Sequence, residues 1–170
     1  MPHEEELIDE VDRSGNVIAT HPISCLKERM FLHNASLVMP VTEGNKFVIA
    51  RRAKDKQPYP GTWVCGVGGH ARSGESAENA AKREMQEEIG RSYPIRKVTS
   101  FVYDKEYKAI FTVFTTTVPV SPDELALDPR EIQYCKAFTV KEIMGMIKNA
   151  PQEFAPTFIA AMEEFSKHMV

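Results

Sequence analysis

Apolar residues along this chain fall mostly into short runs separated by turn residues, with one stretch of helical character between them. Leu7, Ile8 and Val11, then Val17-Ile18-Ala19, flank the turn Arg13-Ser14-Gly15-Asn16 and predict a hairpin over residues 6–21. A second hairpin is predicted from Ala35–Val41 and Lys46–Ala50 around Glu43-Gly44-Asn45. Residues 53–62 are polar, with Pro58, Pro60 and Gly61, and predict a loop. Trp63 to Val67 predicts one short strand running into Gly68-Gly69. Residues 97–104, 108–119 and 132–138 are rich in the branched and aromatic residues of strands. Residues 140–148 and 153–168 predict helices on one side of the sheet. The order β-rich, helix, β-rich, helix implies an α/β (α+β) fold, a mixed β-sheet flanked by helices.

The internal helix has the clearest limits. Ser76 is placed to cap it, residues 76–89 are rich in Ala, Glu, Lys and Arg, and Gly90 supplies the stop. At about 100° per residue, Ala80, Ala81 and Met85 fall within roughly 80° of Ala77 and form an apolar stripe. Glu84 and Glu88 fall within about 20° of the centre of that stripe, and Glu87 on its flank. Carboxylates on the face that should be buried are costly and repel one another. A solvated acidic face is the ordinary reading of such a run, but here the charges coincide with the apolar side. A hard divalent cation such as Mg²⁺ resolves the conflict, because it takes oxygen ligands and also binds substrate phosphates. Arg83, on another side of the helix, is placed to brace the carboxylates or to pair with Glu75.

Composition narrows the classes without naming a function. The chain has 170 residues, 42% hydrophobic and 26% charged, which suits one ordinary globular domain over 1–170. Lys plus Arg is 21 against 24 Asp plus Glu, a net charge of −3, which gives no reason to expect nucleic-acid or anionic-membrane binding. No apolar run approaches the roughly 18 residues of a membrane span. The acidic start, Met1 to Glu6, is unlike a leader peptide, and Cys25, Cys65 and Cys135 are scattered, so a cytoplasmic protein with reduced thiols is expected.

The segment Gly69 to Gly90 resembles the signature of Nudix hydrolases at Gly69, Glu75, Arg83, Glu84, Glu87, Glu88 and Gly90, with Met85 in its first aliphatic slot. Arg91 departs from the final aliphatic slot of this box, residues 69–91, which should disturb local packing more than metal binding. The resemblance covers residues 33–145 and leaves residues 1–30 as an N-terminal extension carrying the first hairpin. It implies a Nudix-like α/β/α sandwich and hydrolysis of a diphosphate linked to another moiety, here a nucleoside phosphate or a related nucleoside-diphosphate-linked substrate. It also implies that Glu84, Glu87 and Glu88, with the Gly69 carbonyl, hold Mg²⁺, with Mn²⁺ as an alternative, and that Glu75 and Arg83 are structural partners. Relatives often draw a general base from a loop after the box. Glu131 is the candidate, weighed against a simple surface charge, with Glu106 and Asp104 behind it.

Residues 8–21, Leu32-His33, Arg51-Arg52-Ala53, Lys56, Pro60-Gly61-Thr62-Trp63 and Gly69-His70 are further similar to isopentenyl-diphosphate isomerases and the Nudix proteins that resemble them. That likeness implies that Arg52 and Lys56 grip a diphosphate; the plainer reading of Arg51, Arg52, Lys54 and Lys56 is a solvated loop. The isomerases need a cysteine where Gly68 stands and a cage of three His and two Glu. Only His33 and His70 match it; the other slots fall near Leu26, Tyr107 and Ala109. His33 and His70 are therefore expected to be a packed or substrate-facing pair, and Cys65 a small buried hydrophobe. The readings kept are a Mg²⁺-dependent hydrolase, an isomerase-like enzyme, and a catalytically silent nucleotide-binding module. The partner is a small-molecule diphosphate, and the oligomeric state is open between monomer and homodimer.

Overall fold

A computed structural model describes residues 4–169. The acidic start therefore lies in part, at residues 1–3, outside the described residues. Two sheets organise the chain. The larger has six strands in the order β2(Val17–Pro22), β1(Leu7–Val11), β3(His33–Met39), β8(Lys108–Thr116) and β7(Ile95–Asp104), with β6(Val67–His70) also paired to β3. It is mixed: β3 runs parallel to β8 and antiparallel to β6. The smaller sheet is β5(Trp63–Cys65), β4(Phe47–Arg52) and β9(Ile132–Phe138), all antiparallel.

Alternation along the central strands sorts side chains to two layers. Val38 and its partner Phe114 point to α2(Ala77–Ile89), where they meet Ala81, Met85 and Ile89. Met39 and Val113 point the other way, into a core closed by α3(Val140–Asn149) and α4(Pro156–Ser166) through Ile143, Phe158, Met162 and Phe165. The result is the expected sandwich with helices on both faces. A short α1(Cys25–Glu28), which the sequence pattern did not predict, links β2 to β3.

Two strand predictions need correction. The segments predicted as a second hairpin are strands, yet they lie in different sheets, joined across their turn only by the bridge between Val41 and Phe47. Pro40 sits where the chain leaves β3 and has no N–H to extend a ladder. The single strand predicted from Trp63 to Val67 is two strands, β5 and β6, which change sheets at Gly66. The two crossings touch: a Cβ at Gly66 would lie 2.7 Å from Pro40 Cδ and 2.8 Å from the Val48 carbonyl. The N-terminal hairpin is also less separate than an extension implies. Glu10 pairs with His33, and Leu7, Asp9 and Glu6 bond Ser73, Gly74 and Arg72 of the loop before α2.

Candidate active site

Helix α2 begins and ends as its sequence dictates. Ser76 Oγ accepts the Asn79 amide at 3.1 Å, and Gly90 takes the left-handed conformation at φ 83°. The helix buries Ala80, Ala81, Met85, Ile89 and, with them, Glu88. Arg91, in the unmatched aliphatic slot, stacks on Tyr93 with its guanidinium carbon 4.6 Å from the ring centroid. Tyr93 supplies the missing apolar packing, being buried among the α2 cluster.

Pairing of β6 with β3 lays Gly68-Gly69-His70 alongside α2. The Gly68 amide donates to Glu88 Oε2 at 3.0 Å. A Cβ at Gly69 would collide with the Glu84 carboxylate, so glycine there lets that carboxylate lie against the strand. Arg83 forks onto Glu75, Nε to Oε2 and Nη2 to Oε1, both at 2.9 Å. It also donates to the His70 carbonyl and to Glu84 Oε1, each at 2.9 Å, and reaches Glu87 Oε2 at 3.4 Å. Bracing of the carboxylates and pairing with Glu75 therefore both occur.

Burial pushes the Glu84 carboxyl up to about 7, with Arg83 opposing and Glu87 and Glu131 adding to the rise. Burial raises Glu88 well above the carboxylate range, helped by Glu84 and Glu131 and opposed by the Gly68 amide and Arg52. Among the described residues no three His, Cys, Asp or Glu side chains close into a ready-made cage, and Glu87 is half-exposed, drawn to Arg83 and Arg72. The donor set is nonetheless all oxygen, and the hydrogen bond to buried Glu88 comes from the neutral Gly68 amide, an arrangement that a hard divalent cation fits.

The opposite wall is positioned by the end of the same helix. The Ala126 and Asp128 amides donate to the Ile89 and Glu88 carbonyls, both at 3.2 Å, satisfying groups a helix C-terminus leaves unpaired. This fastens the loop carrying Glu131, whose Oε1 accepts Lys56 Nζ at 2.9 Å. Arg52 Nε and Nη2 donate to the Lys56 and Gln57 carbonyls at 3.2 and 2.9 Å, so part of its guanidinium shapes the loop it was expected to reach from. Arg52, Lys56, Glu84, Glu87, Glu88, Gly69 and Glu131 all border one cleft of about 1110 Å³. Arg51 does not; it bonds Glu153 and covers Trp63. Asp104 and Glu106 also lie outside the cleft lining, Asp104 paired with Arg13 and Glu106 accepting the Tyr59 and Tyr103 hydroxyls.

His33 and His70 do form a pair. His33 Nε2 lies 3.0 Å from His70 Nδ1 and 3.0 Å from Tyr107 Oη, with the last two 3.1 Å apart. Burial, then His33, Lys56, Arg52 and Arg83, lower His70 to about 3, so its ring is neutral. Cys65 is buried and its thiol is pushed up by that burial. Sequence reasoning missed the cleft contributions of Glu6, Ile23, Arg72, Tyr59, Phe111 and Phe158. They come from separate segments and share no local pattern that could have signalled them.

A helix that carries buried carboxylates to one wall of a cleft, faced by Arg and Lys on the other, defines the class: an enzyme acting on a small phosphorylated molecule. The family model described as the NUDIX domain matches residues 31–160, so the chain belongs to the Nudix family and is a hydrolase of that type, acting on diphosphate-containing substrates. Nudix hydrolases generally use divalent metal ions. The chain is 27% identical to isopentenyl-diphosphate Delta-isomerase 2 of Photorhabdus laumondii over 163 residues, 91% of this chain and 89% of that one. It is also 27% identical to an uncharacterized Nudix hydrolase of Yersinia pestis over 158 residues, 92% and 84% of the two chains. The crystal structure of DR0079 from Deinococcus radiodurans superposes with a TM-score of 0.80 at 19% identity, covering 93% of this chain and 98% of that one. Among the described residues no helix is long and apolar enough to cross a membrane.

Proposed function

We propose that this chain hydrolyses a diphosphate linkage in a nucleoside phosphate or related nucleoside-diphosphate-linked substrate, with Mg²⁺ or Mn²⁺ as its cation. The observation that carries the reading is the placement of half-buried Glu84 and buried Glu88, which repel one another, on the wall of a cleft that also holds Arg52, Lys56 and Glu131. Glu84, Glu87, Glu88 and the Gly69 carbonyl would hold the cation, which neutralises the diphosphate and acidifies water when bound. Arg52, through the part of its guanidinium not spent on the loop, and Lys56 bind diphosphate oxygens. Glu131 takes a proton from the water whose oxygen attacks phosphorus as the bridging P–O bond breaks. The Lys56 ion pair, which ties Glu131 to the cleft lining, supports that role.

The isomerase names among the relatives supply the second reading. Gly68 offers no proton where the isomerases use cysteine, Cys65 is buried with its thiol pushed up, and Tyr107 and Ala109 stand near the slots of the two glutamates. These features favour the hydrolase. A panel of nucleoside di- and triphosphates, nucleotide sugars and dinucleotides with Mg²⁺, read by phosphate or pyrophosphate release, tests the proposal. Turnover that chelator abolishes and Mg²⁺ restores is expected; no release from any member of the panel rejects it.

A further inference from the structure

The hydrolase reading leaves unused one buried polar cluster, formed by His33, His70 and Tyr107. Its proton positions follow from its geometry. His33 Nδ1 lies 2.9 Å from the Phe31 carbonyl, which can only accept, so Nδ1 carries the proton and Nε2 of this buried neutral ring is bare. Two groups converge on that bare nitrogen, Tyr107 Oη and His70 Nδ1, each at 3.0 Å. Tyr107 has one proton to give. Were His70 Nδ1 also bare, two nitrogen lone pairs would face each other at 3.0 Å with a single proton shared among three contacts. With a proton on His70 Nδ1 no two bare lone pairs face each other: Tyr107 donates to His33, and His70 donates to Tyr107 or shares its proton with His33. The chain from the Phe31 carbonyl thus fixes His70 as the Nδ1–H tautomer and leaves its Nε2 bare.

That Nε2 makes no hydrogen bond within the described residues, and the one fully buried side-chain polar atom there without a partner is Tyr93 Oη. His70 Nε2 is therefore not sealed from solvent, and His70 lines the cleft. Its place is telling. On one side is Gly69, against the Glu84 carboxylate; on the other His70 shares a row across the sheet with Ala35 and Phe111. Tyr107 stacks on Phe111, continuing an apolar wall suited to a ring or sugar face.

We infer that His70 Nε2 is a fixed hydrogen-bond acceptor that selects substrates carrying a donor, a sugar hydroxyl or an exocyclic amine, on the nucleoside side of the diphosphate. Phosphate oxygens are acceptors and an isoprenyl chain has no donor, so neither satisfies this nitrogen. His70 is thus a specificity-determining residue, and His33 and Tyr107 are positioning residues that hold its tautomer. The inference rests on the nucleoside reading of the cleft.

The test uses the full chain and the 5′-diphosphates of adenosine, inosine, cytidine and uridine with their 2′- and 3′-deoxy counterparts. In the wild type, kcat/KM should fall by about tenfold or more for the member lacking the recognised donor, because a site group left unpaired rejects the analogue. The deoxy arms report a hydroxyl; the adenosine–inosine and cytidine–uridine arms report an amine. In His70→Phe the ratio for that pair should fall to about one. A wild-type ratio near one in every pair, or a ratio that His70→Phe leaves unchanged, overturns the inference while the hydrolase reading stands. No turnover of these diphosphates, nor of the triphosphates, nucleotide sugars and dinucleotides of the wider panel, removes both. Nitrogen-15 NMR of the wild-type imidazoles tests the tautomer independently of any variant's folding: His70 protonated at Nδ1 supports the inference, and protonation at Nε2 overturns it.

Discussion

Glu88 shows how much one residue can reveal. Its place in the helical stripe marks it as buried, the Gly68 amide holds one of its oxygens, and burial drives its carboxyl toward the neutral form. Replacing it should cost catalysis and not the fold. Glu88→Gln is expected to keep less than about a tenth of wild-type turnover at saturating Mg²⁺, with a thermal midpoint in chelator equal to or above that of the wild type, since an amide of the same shape avoids the cost of holding that buried carboxyl away from its ordinary ionised state. Glu131 has a different signature, exposed enough to reach water and tied to Lys56. Glu131→Gln should lower kcat by about 10² to 10⁴ with KM little changed. Glu106→Gln, outside the cleft lining, serves as the control. A Glu131 variant within about threefold of wild type, about 0.7 kcal/mol of barrier, removes it from the mechanism.

At the scale of elements, the decisive contacts lie where strands change sheets and where the N-terminal hairpin joins the rest. Gly66→Ala would drive a methyl into Pro40 and the Val48 carbonyl, atoms that cannot swing aside. It should destabilise by about 1–3 kcal/mol in urea unfolding, by overpacking. The hairpin is held by Glu10, which accepts Arg29 and His21, and those bonds lower its carboxyl to about 2. Its unfolded value is near about 4.3, so its contribution is complete above that pH and is lost as pH falls toward about 2. The wild type should therefore lose more stability than Glu10→Gln between about pH 5 and pH 2, read as a steeper acid limb of thermal midpoint against pH.

For the whole molecule, the likeness to isomerases spans nearly the full chain, and the proposed hydrolase reading departs from it at Gly68. Incubation with isopentenyl diphosphate and Mg²⁺ is expected to yield no allylic product, and its detection would reassign the cleft. Gly68→Cys should not confer that activity, because the slots expected for the two ligating glutamates fall near Tyr107 and Ala109 and the new side chain would press on Leu37, 2.8 Å from its Cβ.

Local physics decided much from the sequence alone. The limits of α2 follow from Ser76 and Gly90, its carboxylates fall on the apolar face by helical periodicity, and Arg83 is placed for Glu75 by the box spacing. Alternation and β-propensity located most strands, because each depends only on neighbours in the chain. Pairing did not follow, because a turn can join strands without pairing them: Glu43-Gly44-Asn45 reads as a hairpin turn, while Pro40 and Gly66 send their strands to separate sheets. The cleft's far wall, the docking of the hairpin on the box loop, and the three-way contact of His33, His70 and Tyr107 join residues distant in sequence. Such contacts exist only once the sheets close, so tertiary structure alone decided them.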